Sequence, residues 1–130
     1  MAYEPEISAK RDHLLVISHG EFDLAGGRRL FAELLREAHA TGLSRILIDN
    51  RLLAKPLAAT EKALLGLSLE GPYLDYLDRG GPPLRAAFLV LDGWLMPFRP
   101  LVDQLNAVGL EAQTFSDVAA MSEWLAISPA

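Results

Sequence analysis

The sequence contains no cysteine. Disulfides, zinc thiolate sites and thiol nucleophiles are therefore excluded, and the fold must rest on its apolar core. No run approaches the roughly 20 apolar residues that cross a bilayer. The N-terminal stretch "MAYEPEISAKRDH" has acids and a proline where a signal peptide needs a basic start and an apolar centre. A soluble protein acting in the cytoplasm, with no membrane span, is the expectation. Basic residues stop at Arg99, and no lysine follows Lys62. With a formal net charge of −5, the chain offers little electrostatic capture of nucleic acid, so nucleic acid is not an expected partner.

Nucleotide-binding and catalytic signatures are missing too. Gly20, Gly26 and Gly27 do not give the G-x-G-x-x-G spacing that cradles a pyrophosphate, and no GxxxxGK[ST] segment is present. "GLSLE" lacks the second glycine of a nucleophile elbow and falls inside a helical pattern, which makes Ser68 structural. His13, His19 and His39 lack the i, i+4 spacing that presents two imidazoles to a metal. Asp49, at a strand exit, invites a phosphoacceptor reading with Glu21 and Asp23 as the acidic pair, but the lysine such chemistry wants after the last strand is absent. The expectation is a protein that is not an enzyme, with no cofactor and no metal.

What is present is a hydrophobic fraction of 51% over 130 residues, enough for one domain spanning the chain. "YEPEIS" and "HLLVISHGEF", separated by "KRD", read as a hairpin. From Asp23, a good N-cap, apolar residues recur at helical spacing to Ala38, and Gly42 ends the helix. "RILID" reads as a buried strand leaving at Asp49. Thr60 is placed to cap a second helix with Leu64, Leu67 and Gly71 inward, kinked or restarted at Pro72. "LRAAFLVL" is a strand, "PFRPLVDQLNAVG" a helix, "LEAQTF" a strand and "SDVAAMSEWLA" a last helix capped by Ser116. The order ββαβαβαβα implies an α/β fold with a mixed, mostly parallel five-stranded sheet, the first strand antiparallel, and helices mainly on one face.

"LRAAFLVL", a helix, and then "GLEAQTFSDVAAMSEWL", with Ala119 or Ala120 ahead of a Trp-Leu pair, resemble the small SpoIIAA-like domains. These belong to the STAS group, and the likeness is strongest to its STAS/SEC14-like branch. The resemblance implies the same element order and a non-enzymatic interaction domain. Members that switch sigma-factor regulators carry a phosphorylated Ser or Thr in an Asp-Ser-Ser-Gly-like turn after the third strand. Here that region is "IDNRLLAKPLAATEKALLG", where Thr60 is the one hydroxyl near the right place and no Asp-Ser-Ser-Gly stands.

In parallel sheets, ligands and partners usually meet the loops leaving the C-terminal strand ends. Those loops are "GEFDLAGG", "DNRLLAKP" and "DGWLMPFRP". They bring Arg51, Leu53, Lys55, Trp94, Leu95, Met96, Phe98 and Arg99 to one edge, with Leu52, Leu57, Arg28 and Arg29 nearby. Three readings follow: the apolar residues finish the core, they meet a protein partner or a second copy in a homodimer, or they line a pocket for a small amphiphile. In the last reading Arg51, Lys55 or Arg99 would take an anionic head.

Overall fold

The computed structural model of the protein describes residues 2–55 and 58–127. Strands β1 (Glu4–Ala9) and β2 (Leu14–Gly20) form the antiparallel hairpin, with Ile7 opposite Val16 and the turn held by Lys10 N–H on the His13 carbonyl at 2.8 Å. Helix α1 (Leu24–Thr41) starts where the Asp23 carboxylate accepts from Gly26 N–H at 2.6 Å. It ends at Gly42, whose φ of 76° is the left-handed cap geometry that glycine adopts without strain.

The remaining elements are β3 (Arg45–Leu53), α2 (Ala59–Asp78), β4 (Arg85–Leu89), a short 3₁₀ turn (Asp92–Trp94), α3 (Leu95–Ala107), β5 (Glu111–Phe115) and α4 (Val118–Leu125). The sheet order is β1-β2-β3-β4-β5, with β1 antiparallel and every other pairing parallel. Among the described residues no helix is long and apolar enough to cross a membrane.

The two faces of the sheet are covered unequally. Helices α1, α2 and α3 pack on the face that presents Leu14, Val16, Ile46, Ile48, Ala86, Phe88 and Ala112, and the main core lies between. On the other face α4 alone sets Met121 and Leu125 against Leu47, Ala87 and Leu89.

Five local expectations are corrected by the geometry. Strand β3 runs on to Leu53, because beyond a bulge Leu52 and Leu53 still pair with His19 and Gly20 of β2. Arg51 and Leu53 are thus strand residues, not loop residues. Ala58, not Thr60, holds the N-cap position of α2, and the Glu61 side chain reaches back to accept from Ala58 N–H at 3.1 Å. The inward stripe of α2 is Lys62, Leu65, Leu69, Tyr73 and Tyr76, while Leu64 and Leu67 are 49% and 58% exposed and Gly71 faces outward. The helix also continues through Pro72, an exposed residue on its outer side. Asp117 caps α4, accepting from Ala119 and Ala120 N–H, because the Ser116 hydroxyl turns away to Asp92 Oδ1 at 2.9 Å.

Candidate functional site

The residues expected to share one binding edge are divided among four places. Phe98, 1% exposed, and Leu53 are core residues lining the space between the helices and the sheet. Leu95, Met96 and Arg99 border a groove between α3 and β5, where Met96 is 71% exposed. Trp94 is half-buried against the core beside Leu95. Arg51 lies on the α4 side of the sheet, its guanidinium bound to both Asp49 carboxylate oxygens at 2.9 and 2.8 Å. That bidentate pairing holds Arg51 charged, and the Asp49 hydrogen bond pushes its pKa above the usual arginine value. Lys55 is exposed in the bend after β3, and Arg99 is paired loosely with Asp103 at 4.0 Å on the surface of α3. Leu57 lies outside the described residues.

The interior space follows from the hairpin and the start of α1. A Cβ on Gly26 would come within 2.7 Å of the Tyr3 ring, and one on Gly27 within 2.6 Å of the Phe22 ring. Only glycines let the two aromatic rings settle on the first turn of α1, where they meet edge to face at 5.2 Å. Beneath them a cavity of about 60 Å³ runs along the sheet past Leu30, Ile48, Leu65 and Phe98. Its lining is apolar except for the Tyr3 hydroxyl and the Asn50 amide. The Tyr3 hydroxyl is 3.4 Å from Ser18 Oγ, and burial raises its pKa. Asn50 is 6% exposed and its side chain has no hydrogen-bond partner among the described residues.

Lys62, 1% exposed, occupies the top of the inward stripe of α2. Its ammonium donates to the Pro97 carbonyl and lies 5.3 Å from the centre of the Phe98 ring. Burial pushes its pKa below the usual lysine range. No carboxylate lies within ion-pair distance of it among the described residues.

On the opposite face the register carries Leu15, Ile17 and His19 of β2 beside Leu47, Asp49 and Leu52 of β3, and beside Ser8, Glu6 and Glu4 of β1. Helix α4 reaches Leu47 but leaves Ile17 and His19 half-buried, and Leu52 is 58% exposed. At the other end of this face Arg85 stacks over the Trp124 ring at 4.2 Å, and Arg45 donates to the Ala126 carbonyl at 3.3 Å. Both cations stand by the carbonyl end of α4, where the helix dipole favours them.

No family model matches the chain, and no curated protein does. Among solved structures it is similar to an uncharacterized DUF3478-family protein from Shewanella loihica PV-4, itself described as SpoIIAA-like in fold. The two share 20% identity, with a TM-score of 0.52 over 95% of this chain and 93% of the other. The chain has a SpoIIAA-like fold.

Within this SpoIIAA-like framework, Thr60 sits exposed at the second position of α2, the helix that follows the third strand. Two buried polar groups that the sequence reading passed over are Asn50, near the C-terminal end of β3, and Lys62, in the first turns of α2. Both carried a signal. Asn50 continues the Ile46, Ile48 alternation into the core, and Lys62 stands one helical turn ahead of Leu65 on the apolar stripe.

Proposed function

We propose that this SpoIIAA-like domain works in the cytoplasm by binding another protein, without catalysis, through the sheet face that α4 leaves open. The observation that carries this is the half-covered strip of Leu15, Ile17, His19 and Leu52 beside a helix that already buries Leu47 and Leu89. Three aliphatic side chains beside a histidine, left partly open, are a poor surface to leave in water and a good centre for an interface. Its outer border on β1 is acidic, with Glu4 and Glu6 on the same face and exposed, while Arg51 is neutralised by Asp49. The complementary surface is therefore apolar at its centre with a basic rim. A second copy of the chain would set these acids near one another, which favours a different protein over self-association.

A photo-crosslinking side chain at position 52, compared with one at exposed Arg29 of α1, tests this in the native cell. The expected outcome is one protein captured from position 52 and not from 29, whose purified form binds the wild-type chain and binds Leu52→Glu about tenfold or more weakly. Equal capture at both positions, or binding indifferent to Leu52→Glu, overturns the proposal. Capture of the chain by itself, with a dimer in light scattering, replaces it by homodimerisation.

A further inference from the structure

We propose that Asn106 keeps the free edge of the sheet from pairing with a second copy of this chain, its side-chain amide standing in for a neighbouring strand at Ala112 of β5. Strand β5 is at the opposite edge of the sheet from β1, where the proposed protein interface has its acidic border, and neither reading depends on the other.

An open sheet ends in two edge strands, and each offers a row of unpaired N–H and C=O groups that a further strand can join. Here the edges are β1 and β5. Strand β1 carries its own protection, because Pro5 has no N–H to give and Glu4 and Glu6 repel a like strand. Strand β5 reads "EAQTF", without proline or lysine, so its protection has to come from elsewhere.

Successive residues of a parallel strand turn their N–H and C=O alternately toward one neighbour and the other. The Phe115 carbonyl accepts from Val90 N–H at 2.8 Å, just past the end of β4, so Phe115 and Gln113 face β4 while Ala112 and Thr114 face outward. Asn106, in the last turn of α3, meets the first of these outward residues. Its Oδ1 accepts from Ala112 N–H at 2.9 Å, and its Nδ2 donates to the Ala112 carbonyl at 3.2 Å. A carboxamide has the donor and acceptor of a peptide group, so these are the two bonds that a residue of an added strand would make. No side chain among the described residues does the same for Thr114.

The pairing this prevents follows from the register. Two β5 strands running antiparallel about Gln113 would set Ala112 of each opposite Thr114 of the other. Both residues face outward, so each such pair would exchange two backbone hydrogen bonds. The charges allow it, since Glu111 falls opposite Phe115 and not opposite a second Glu111. Between α3 and this edge lies an open groove of about 450 Å³, bordered by Leu95, Met96, Arg99 and Val102, which an added strand would enter, covering exposed Met96. Every pair in this register needs an Ala112, and Asn106 has taken it on each copy.

Light scattering and amide hydrogen exchange on the full chain form the test. In the wild type, Ala112 N–H should exchange at least about tenfold more slowly than Thr114 N–H. Asn106→Ala should roughly double the mass of the wild type at about 0.5 mM and bring protection to Thr114 N–H as concentration rises. Adding Thr114→Pro, which removes an outward N–H where an edge strand tolerates proline, should restore the wild-type mass. If Asn106→Ala does not fold, the exchange contrast in the wild type decides. A folded Asn106→Ala with unchanged mass would make Asn106 a tie between α3 and β5 and nothing more, and would overturn the proposal. Association that survives Thr114→Pro, or equal exchange at Ala112 and Thr114 in the wild type, would overturn it as well.

Discussion

At the scale of single residues, the most informative side chains are the polar ones the core has accepted. Tyr73 and Tyr76 stack at 5.9 Å, the first hydroxyl accepting from Leu84 N–H at 3.0 Å and the second donating to the Pro82 carbonyl at 2.6 Å. Gly81 makes room for this, since a Cβ there would fall 2.3 Å from the Tyr76 ring. Burial, with a smaller contribution from Tyr73, pushes the Tyr76 pKa up to about 12 from an ordinary 10.0. The unfolded chain therefore loses this proton first as pH rises. Stability from Tyr76 is complete below pH 10 and drains away as pH climbs toward about 12, by about 3 kcal/mol in all. Denaturant unfolding of Tyr76→Phe between these values should show a shallower loss than the wild type; an equal slope would place the titration elsewhere.

At the scale of elements, α4 is the piece whose attachment is easiest to test. Eight residues long, it rests on Met121, Leu125 and the Trp124 ring, which packs against Phe115 and under Arg85. Trp124→Ala should cost about 2–4 kcal/mol, lower than a fully buried aromatic because the ring is half-exposed. Hydrogen exchange should then rise in α4 and not in α1. Uniform acceleration would instead mean that α4 and the main core open together.

Elements were legible where one signal dominated. Asp23 and Gly42 bracket α1, and its apolar spacing is borne out by buried Leu30, Leu34 and Ala38. The antiparallel hairpin and the parallel pairing of the later strands followed from alternation and short connections. The stripe of α2 was misplaced because Lys62 hides its first inward position from any count of apolar residues. Thr60 and Ser116 drew the caps toward themselves because hydroxyls cap well in general, whereas Glu61 and Asp117 did so here. "DGWLMPFRP" promised a cluster, yet a helix beginning at Leu95 turns Phe98 inward and Met96 outward. Residues three apart in a loop can share a surface; two apart on a helix they cannot.

At the scale of the whole molecule, the two sheet faces differ in how they are covered. One is apolar and covered by three helices, with a cavity of about 60 Å³ beneath them. The other is covered only in part, by α4, and is bordered by exposed Glu4 and Glu6. The SpoIIAA-like order places both within one sheet. Ile48 and Asn50 face the cavity while Asp49 and Leu52, on the same strand, face the open side.

The strand order has a kinetic side as well. Each strand pairs with the one before it in the chain, so no segment has to thread between two that are already joined. Each parallel closure spans one helical crossover and extends the edge just completed, and its entropic cost grows only slowly with the length of that crossover. Assembly is then expected to start at β2 and β3 and to spread outward, with β5 arriving late. Ile46→Val should slow refolding in stopped flow, whereas Ala112→Gly should leave refolding nearly unchanged and hasten unfolding. The reverse pattern would mean that the sheet grows from its β5 edge.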